Sequence, residues 1–382
     1  MNSNAHTSPI SVPPLSIAGL LIHSRVITAP LCNNSDRPFR EIMRSMGAEM
    51  MFTPMVSVEG LTRDDWGTWN ILDYEGERAP VGVQIVGSNP ERMGLAADII
   101  TKRGGVAWID INMGCPAKHV TGNGNGCAIM KTPEIAVECV KAVRANTNLP
   151  VSVKLRSGWD DEHLNFIDLA PACQEAGADA IILHPRTRKQ GYSGSANWEH
   201  IAQLRKVISV PLIGNGDITS PADAIRMMRT TQCDAVMIGR ALMGNPWLIT
   251  ACASAIDKFI AGEITHEDQV PGDEMIYPDG EESEISVRVP HYMKNVSVDE
   301  RLALVIEHTR TNIQYKGEKR GILEMRKHSQ HYIKGCPGAK RMREKLMTIT
   351  DFEELTQAFT QFRVALKEHT EKRNNLNLNQ PR

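Results

Sequence analysis

Residues Ile109-Asp-Ile-Asn-Met-Gly-Cys-Pro-Ala-Lys118 decide the fold: an apolar run that reads as a buried strand ends in an Asn, a Gly and a Cys-Pro pair. A thiol, Cys115, therefore stands at the C-terminal tip of a strand. In a parallel α/β barrel such tips carry the catalytic groups, whereas the opposite face serves stability.

Working outward, short β-rich apolar runs recur at Val26–Pro30, Met51–Val56, Val81–Val86, Trp108–Met113, Val151–Leu155, Ala180–His184, Val210–Gly214 and Ala235–Gly239. Between most of them lie segments with apolar residues at i, i+3 and i+4, among them Pro90–Arg103, Pro133–Ala145, Leu164–Ala176, Trp198–Val207 and Pro221–Arg229. A proline often opens the first turn, as helix starts favour. Eight β/α units predict an α/β fold of the (β/α)8 TIM-barrel type. A doubly wound nucleotide-binding sheet would want Gly-x-Gly-x-x-Gly after its first strand, and none is there.

After Trp247 the pattern changes. Glu267 to Glu284 carry eight acidic residues, two Pro and two Gly, with no Lys or Arg, and read as a solvated insertion or loop. From Val298 the periodicity is helical to about Glu368, with breaks near Gly335-Cys-Pro-Gly338 and Thr348–Asp351, predicting about four helices. The expected organisation is a disordered lead over 1–14, a barrel over 15–260, an acidic insertion and linker over 261–298, a helical domain over 299–368 and a polar tail over 369–382.

Composition bounds the function classes. A chain of 382 residues, 41% hydrophobic and 23% charged, reads as soluble and globular. The lead lacks a basic n-region and an apolar h-region, and no apolar run reaches the roughly 18 residues of a membrane span. Eight cysteines without a Cys-x-x-Cys pair argue against a zinc site and a disulfide framework, so the cytosol is the expected compartment. No metal, membrane or obligate protein partner is inferred. With a net charge of −2, nucleic-acid binding would need a local basic face. Arg310–Lys345 offers one, with eleven Lys or Arg against three Glu.

The strand tips carry polar residues that a strand interior would not tolerate: Gln84, Asn112 with Cys115, Lys154 with Arg156, His184 with Arg186, Asn215-Gly-Asp217, and Gly239-Arg240. Each has a bland reading: Gln84 or Asn112 capping a backbone, Lys154 snorkelling, His184 satisfied in the core. Recurrence at six successive strands argues for a shared site. The glycines of Ile213-Gly-Asn-Gly-Asp217 and Ile238-Gly-Arg240 would free backbone N–H groups which, with a helix N-terminus and an Arg, make a phosphate cradle. A phosphate there, with Gln84 and Lys154 on adjacent strands, suits a flavin mononucleotide across the barrel mouth, Lys154 placing positive charge by the ring. Cys115 reads as a general acid, since an ordinary thiol is mostly protonated at neutral pH. Cys127, Cys139, Cys173, Cys233 and Cys252 read as small buried hydrophobes. Thr121-Gly-Asn-Gly-Asn-Gly126 lacks the Gly-Lys-Ser/Thr of a P-loop and reads as a flexible lid.

These residues together resemble the tRNA-dihydrouridine synthase family, most closely its bacterial B-type branch. The resemblance runs through Ala29-Pro-Leu-Cys-Asn-Asn-Ser-Asp-Arg-Pro-Phe39, Val83-Gln-Ile85, Asp110-Ile-Asn-Met-Gly-Cys-Pro116, Val153-Lys-Leu-Arg-Ser-Gly-Trp159, His184-Pro-Arg-Thr-Arg188, Gly214-Asn-Gly-Asp217 and Met237-Ile-Gly-Arg240, and into the helical domain with Arg326-Lys-His328 and Tyr332-Ile-Lys-Gly-Cys-Pro-Gly-Ala339. It covers about residues 15–260 and 299–365. It implies an FMN-bearing barrel that reduces the C5–C6 bond of a tRNA uridine, in the D-loop for the B-type branch, with NADPH as reductant. Hydride would pass from flavin N5 to C6 and Cys115 would protonate C5. By the same carry-over, Pro30, Leu31, Cys32, Gln84, Lys154, His184, Asn215, Gly216, Asp217, Gly239 and Arg240 would bind FMN. Asn112, Arg156, Arg186, Arg326 and Lys327 would contact the RNA substrate.

Two features depart from the family pattern. Leu31-Cys-Asn-Asn34 replaces the usual small residues and puts a thiol near the ring, and the acidic stretch Ile264–Val296 has no counterpart. Two rival readings remain open on the sequence: an FMN barrel acting on a free small molecule, and an RNA-binding protein with a defunct site. Intact Cys115, Lys154 and cradle glycines count against the second.

Overall fold

The computed structural model describes residues 12–32, 34–78, 80–272, 274–276, 287–294 and 296–378. Residues 1–11 of the expected lead, 277–286 of the acidic stretch and 379–382 of the tail lie outside them. The chain divides into two compact units, the first of residues 1–36, 47–239 and 249–270, the second of 37–46, 240–248 and 271–382. No single cut at residue 260 reproduces this division, because two short stretches before it, 37–46 and 240–248, join the helical unit.

In the first unit eight parallel strands are β1 (Val26–Thr28), β2 (Met51–Phe52), β3 (Val81–Val86), β4 (Trp108–Met113), β5 (Val151–Gly158), β6 (Ala180–Thr187), β7 (Leu212–Asn215) and β8 (Ala235–Ile238). They pair in order from β2 to β8, and β8 pairs with β1. A parallel bridge between Ile27 and Met50 closes the circle, giving the expected (β/α)8 barrel. Most strands are buried along their length, which explains why they read as continuous apolar runs and not as alternating ones. Helices between them start on caps: Asn89 accepts from Arg92 N ahead of Pro90, and Ser220 from Asp223 N ahead of Pro221.

The barrel core stacks Phe52 edge-on against Trp108, with centroids 5.1 Å apart. Gly82 makes room for that pair, since a Cβ there would sit 2.4 Å from the Phe52 ring. A hairpin that sequence periodicity did not reveal, Leu15–Ile17 with Leu20–Ile22, packs Leu15, Ile17 and Ile22 into one cluster with Trp108, Ala180 and Ala235. Those three residues open β4, β6 and β8, so the hairpin covers the end where strands begin. The opposite end, where strands finish, carries the polar tips.

In the second unit the four expected helices are Val298–Lys316, Glu318–Tyr332, Ala339–Leu346 and Phe352–Leu378, around Leu302, Val305, Ile322, Met325, Ile333 and Phe359. The last helix passes Glu368 and enters the expected tail, because no Gly or Pro interrupts the chain before Pro381. Helix Arg37–Ser45 belongs here, its Phe39 ring 6.4 Å from His308 and 6.3 Å from His328. The acidic stretch is not wholly loop: Glu274–Ile276 pairs antiparallel with Val287–Val289. No helix among the described residues is long and apolar enough to cross a membrane.

Candidate active site

Asn112, next to last in β4, builds the turn that carries the thiol. Its Oδ1 accepts from Gly114 N at 3.1 Å and from Cys115 N at 2.9 Å. Arg156 Nε donates to Gly114 O at 2.8 Å, and Cys127 N donates to Cys115 O at 3.0 Å. Half-buried Cys115 is thus held by three neighbouring segments. Gly126, at φ +58°, lies close against Cys115, and a Cβ there would be 2.9 Å from Cys115 O. The glycine run read as a lid forms tight turns between helical turns at Lys118–Thr121 and Gly126–Lys131.

The thiol has a neighbour: Cys32, after β1, has the largest influence on the titration of Cys115. The Cys32 thiol first, then Ala117 N–H, His119 and Arg156, draw the Cys115 thiol below its ordinary value against the effect of burial. Cys32 moves up in compensation. By contrast, burial pushes Cys127, Cys139 and Cys173 up to about 12 and Cys233 up to about 11. They are inert packing residues, as read.

On β5, Lys154 Nζ donates to Asn215 Oδ1 at 2.9 Å, and Asn215 Nδ2 donates to Met237 O at 2.7 Å. The β7 tip therefore aims the β5 lysine. Burial, opposed by the charge of Asp110, lowers the Lys154 ammonium from its ordinary value. Gly216, at φ +119°, lies where a Cβ would be 2.8 Å from the His184 ring, and its carbonyl accepts from Trp198 Nε1 at 3.0 Å. Gly239 differs: its φ is ordinary and a Cβ would meet only Ala29 and Leu31, at 3.4 and 3.5 Å. A side chain's first carbon would fit there in ordinary contact, so its protein neighbours do not require glycine, and the bare backbone suits close approach of a ligand.

Gln84, buried on β3, donates through Nε2 to Asp110 at 2.6 Å and accepts at Oε1 from Asn112 Nδ2 at 2.7 Å. Pro30, Leu31, Cys32, Gln84, Asn112, Cys115, Lys154, Arg156, His184, Arg186, Asn215, Gly216, Asp217 and Gly239 thus all lie within barrel strands or in the loops that follow them.

Several side chains are engaged by the protein itself. Arg186, 2% exposed, donates to Gly194 O, Ser193 O and Asp217. Asp217, at φ +56°, also accepts from Ala196 N, so its carboxylate braces the 193–196 loop. Arg156 joins Gly114 to Thr187 and Gly191. Arg240, next after Gly239, opens the short helical turn Arg240–Leu242 and belongs to the second unit with Arg326 and Lys327. Arg326 donates to Ile349 O at 2.7 and 3.2 Å.

Sequence reading missed Asp110 and its second partner Ser152, both fully buried. The signal was present: an acidic residue inside an apolar strand is costly unless satisfied.

Fold and site together define a (β/α)8-barrel enzyme with a poised thiol and a positioned lysine at its catalytic rim. The family description "Dihydrouridine synthase (Dus)" matches residues 27–270, and the chain belongs to the dihydrouridine synthase family. It is 34% identical over 342 residues to "Probable tRNA-dihydrouridine synthase 1" of Synechocystis sp., covering 89% of this chain and 87% of that protein. It is 31% identical over 345 residues to "tRNA-dihydrouridine synthase B" of Pseudomonas aeruginosa, covering 89% and 92%. Among solved structures, a histamine dehydrogenase from Rhizobium sp. superposes with a TM-score of 0.50 at 15% identity over 66% of this chain and 49% of that one, a likeness of fold alone.

Proposed function

We propose that this protein reduces a uridine of tRNA, in the D-loop, to 5,6-dihydrouridine, with FMN as bound cofactor and NADPH as reductant. The observation that carries the reading is Cys115, fixed by Asn112 at the same barrel rim as the Lys154–Asn215 pair and the glycines after β7 and β8. The family and the names of its relatives support the tRNA reaction.

Lys154, Asn215, Gly216, Gly239 and the backbone of Pro30–Cys32 would hold FMN, with Gln84, His184 and Asp217 beside them. A glycine at 239 that its protein neighbours do not require fits such a group. When bound, it supplies the hydride for the uracil ring. Lys154 contributes positive charge where a reduced ring system accumulates negative charge. Cys115 delivers the proton to C5 from the protonated fraction that its lowered titration leaves, while Asn112 and Arg156 hold its loop. A base inside folded RNA must be extruded to reach this rim, so the remaining affinity has to come from backbone contacts by basic residues, which Arg310–Lys345 supplies. Without a dinucleotide fingerprint, NADPH would visit and leave before RNA arrives.

The test is position-mapped dihydrouridine content, by nucleoside mass spectrometry, in RNA from a strain lacking the gene against its parent. Loss at one tRNA position is expected. No loss anywhere, with flavin in the purified protein, would favour a small-molecule substrate.

A further inference from the structure

A buried polar chain runs from the strand core to the thiol. Asp110, on β4 and fully buried, takes Ser152 Oγ on one carboxylate oxygen and Gln84 Nε2 on the other. Gln84 Oε1 takes Asn112 Nδ2, and Asn112 Oδ1 takes Gly114 N and Cys115 N. Every link has a direction. An ionised carboxylate only accepts, so Gln84 must turn its NH2 toward Asp110 and its oxygen toward Asn112. Asn112 must then turn its NH2 toward Gln84, leaving its oxygen for the backbone N–H groups of the thiol loop. The two amides are held from both ends, by the backbone N–H groups of Gly114 and Cys115 at one and by the carboxylate of Asp110 at the other.

We propose that Asp110 is a positioning residue for Cys115, acting through the ordered amides of Gln84 and Asn112. The inference rests on reading Cys115 as the proton donor. Burying a carboxylate is unfavourable, and burial pushes Asp110 up from the ordinary carboxylate range, opposed by Ser152, Gln84 and the nearby charge of Lys154. A neutral residue would stabilise the strand core better; what it would lack is the acceptor-only character that orders the chain.

The test uses the FMN-loaded enzyme, with Cys115 alkylation by iodoacetamide followed across pH by peptide mass spectrometry and with single-turnover tRNA reduction as a second readout. Asp110→Asn removes the charged acceptor that anchors Gln84, so the Gln84–Asn112 link slackens, the loop loosens and the contacts that favour the thiolate weaken. Its alkylation midpoint should move up by at least half a pH unit, an expectation on the scale of a lost hydrogen bond. Tenfold or more should be lost from tRNA reduction, the scale of one misplaced catalytic group. Gln84→Glu sets two acceptors face to face and should act likewise, so either variant carries the comparison if the other is insoluble. The double variant Asp110→Asn with Gln84→Glu restores a donor below and an acceptor above, and should recover the midpoint. A merely structural role predicts that the double variant is worse than either single. That result, or an unchanged midpoint in Asp110→Asn, would overturn the proposal. Because alkylation needs no RNA, a normal relay in a protein inactive on tRNA would instead count against the proposed function.

Discussion

Cys115 N donates to Asn112 Oδ1 at 2.9 Å, so the residue that closes the strand also fixes the residue that carries the thiol. The bond spans three positions and belongs to a turn, which makes it a local consequence of Asn-x-Gly-Cys with a non-local purpose. Removing either partner should therefore give distinct losses. Cys115→Ala should leave FMN bound and reducible by NADPH while slowing single-turnover tRNA reduction by about 10²–10⁴-fold, the worth of a general acid. Asn112→Ala should add a stability cost of about 1–3 kcal/mol, because Gln84 and two backbone donors lose a partner, read as a lower midpoint in urea. Unchanged turnover of Cys115→Ala on RNA would take the thiol out of the mechanism.

Lys154→Met keeps the length of the side chain and removes the charge that Asn215 aims. The expected outcome is slower reduction of the flavin by NADPH or loss of flavin on gel filtration, followed by its visible absorbance. Retention of both would mean that the lysine does not face the ring.

Cys32 is the first of the groups that favour the Cys115 thiolate. Cys32→Ala should therefore raise the Cys115 titration. A proton donor works in its protonated form, so the rate falls as pH rises through that titration, and the falling limb of tRNA reduction should move to higher pH in the variant. A shift to lower pH, or none, would show that the two thiols do not share a proton.

Gly126→Ala strains a left-handed residue by about 1–2 kcal/mol and presses a methyl against the Cys115 carbonyl. Thermal unfolding should drop by a few degrees, whereas activity should fall far more, because the new carbon displaces the thiol loop. Loss in proportion to stability alone would show that the loop gives way freely.

His328, 3% exposed in the helical unit, has its titration pulled well below the ordinary range, first by burial and then by His308, Lys327, Lys316 and His331. A depressed histidine binds fewer protons folded than unfolded. Stability is therefore fully present above the unfolded value of about 6.5 and declines as pH falls below it. Melting scans at pH 7 and 5 should show the loss, and His328→Gln should flatten the slope.

Much of the site was legible in the chain because each barrel strand ends in its own punctuation. Gln84, Asn112, Lys154, His184 and Asn215 stand out as polar residues closing apolar runs, and the glycines of 214–216 mark a turn. Roles were less legible than positions. Arg186 and Asp217 read as ligand groups and also satisfy each other and the 193–196 loop, a pairing of side chains from β6 and the loop after β7 that the pairing of those neighbouring strands creates. Strands β5 and β6 run past their expected ends, to Gly158 and Thr187, across a register shift that periodicity does not encode.

What the sequence by itself determined is local: where strands and helices lie, which tips are polar, and that a thiol stands on one of them. Hydrophobic period, caps and turn residues act over a few positions, and these decide such things without reference to the rest of the chain. What only the tertiary structure decided depends on closure of the sheet. Closure brings Cys32 of the first unit of the barrel to Cys115 of the fourth, lays the hairpin of residues 15–22 under the barrel, and lines Asp110, Gln84 and Asn112 into a directed chain. Those contacts follow from strand register around a ring, and register is a property of the pairing and not of either partner alone.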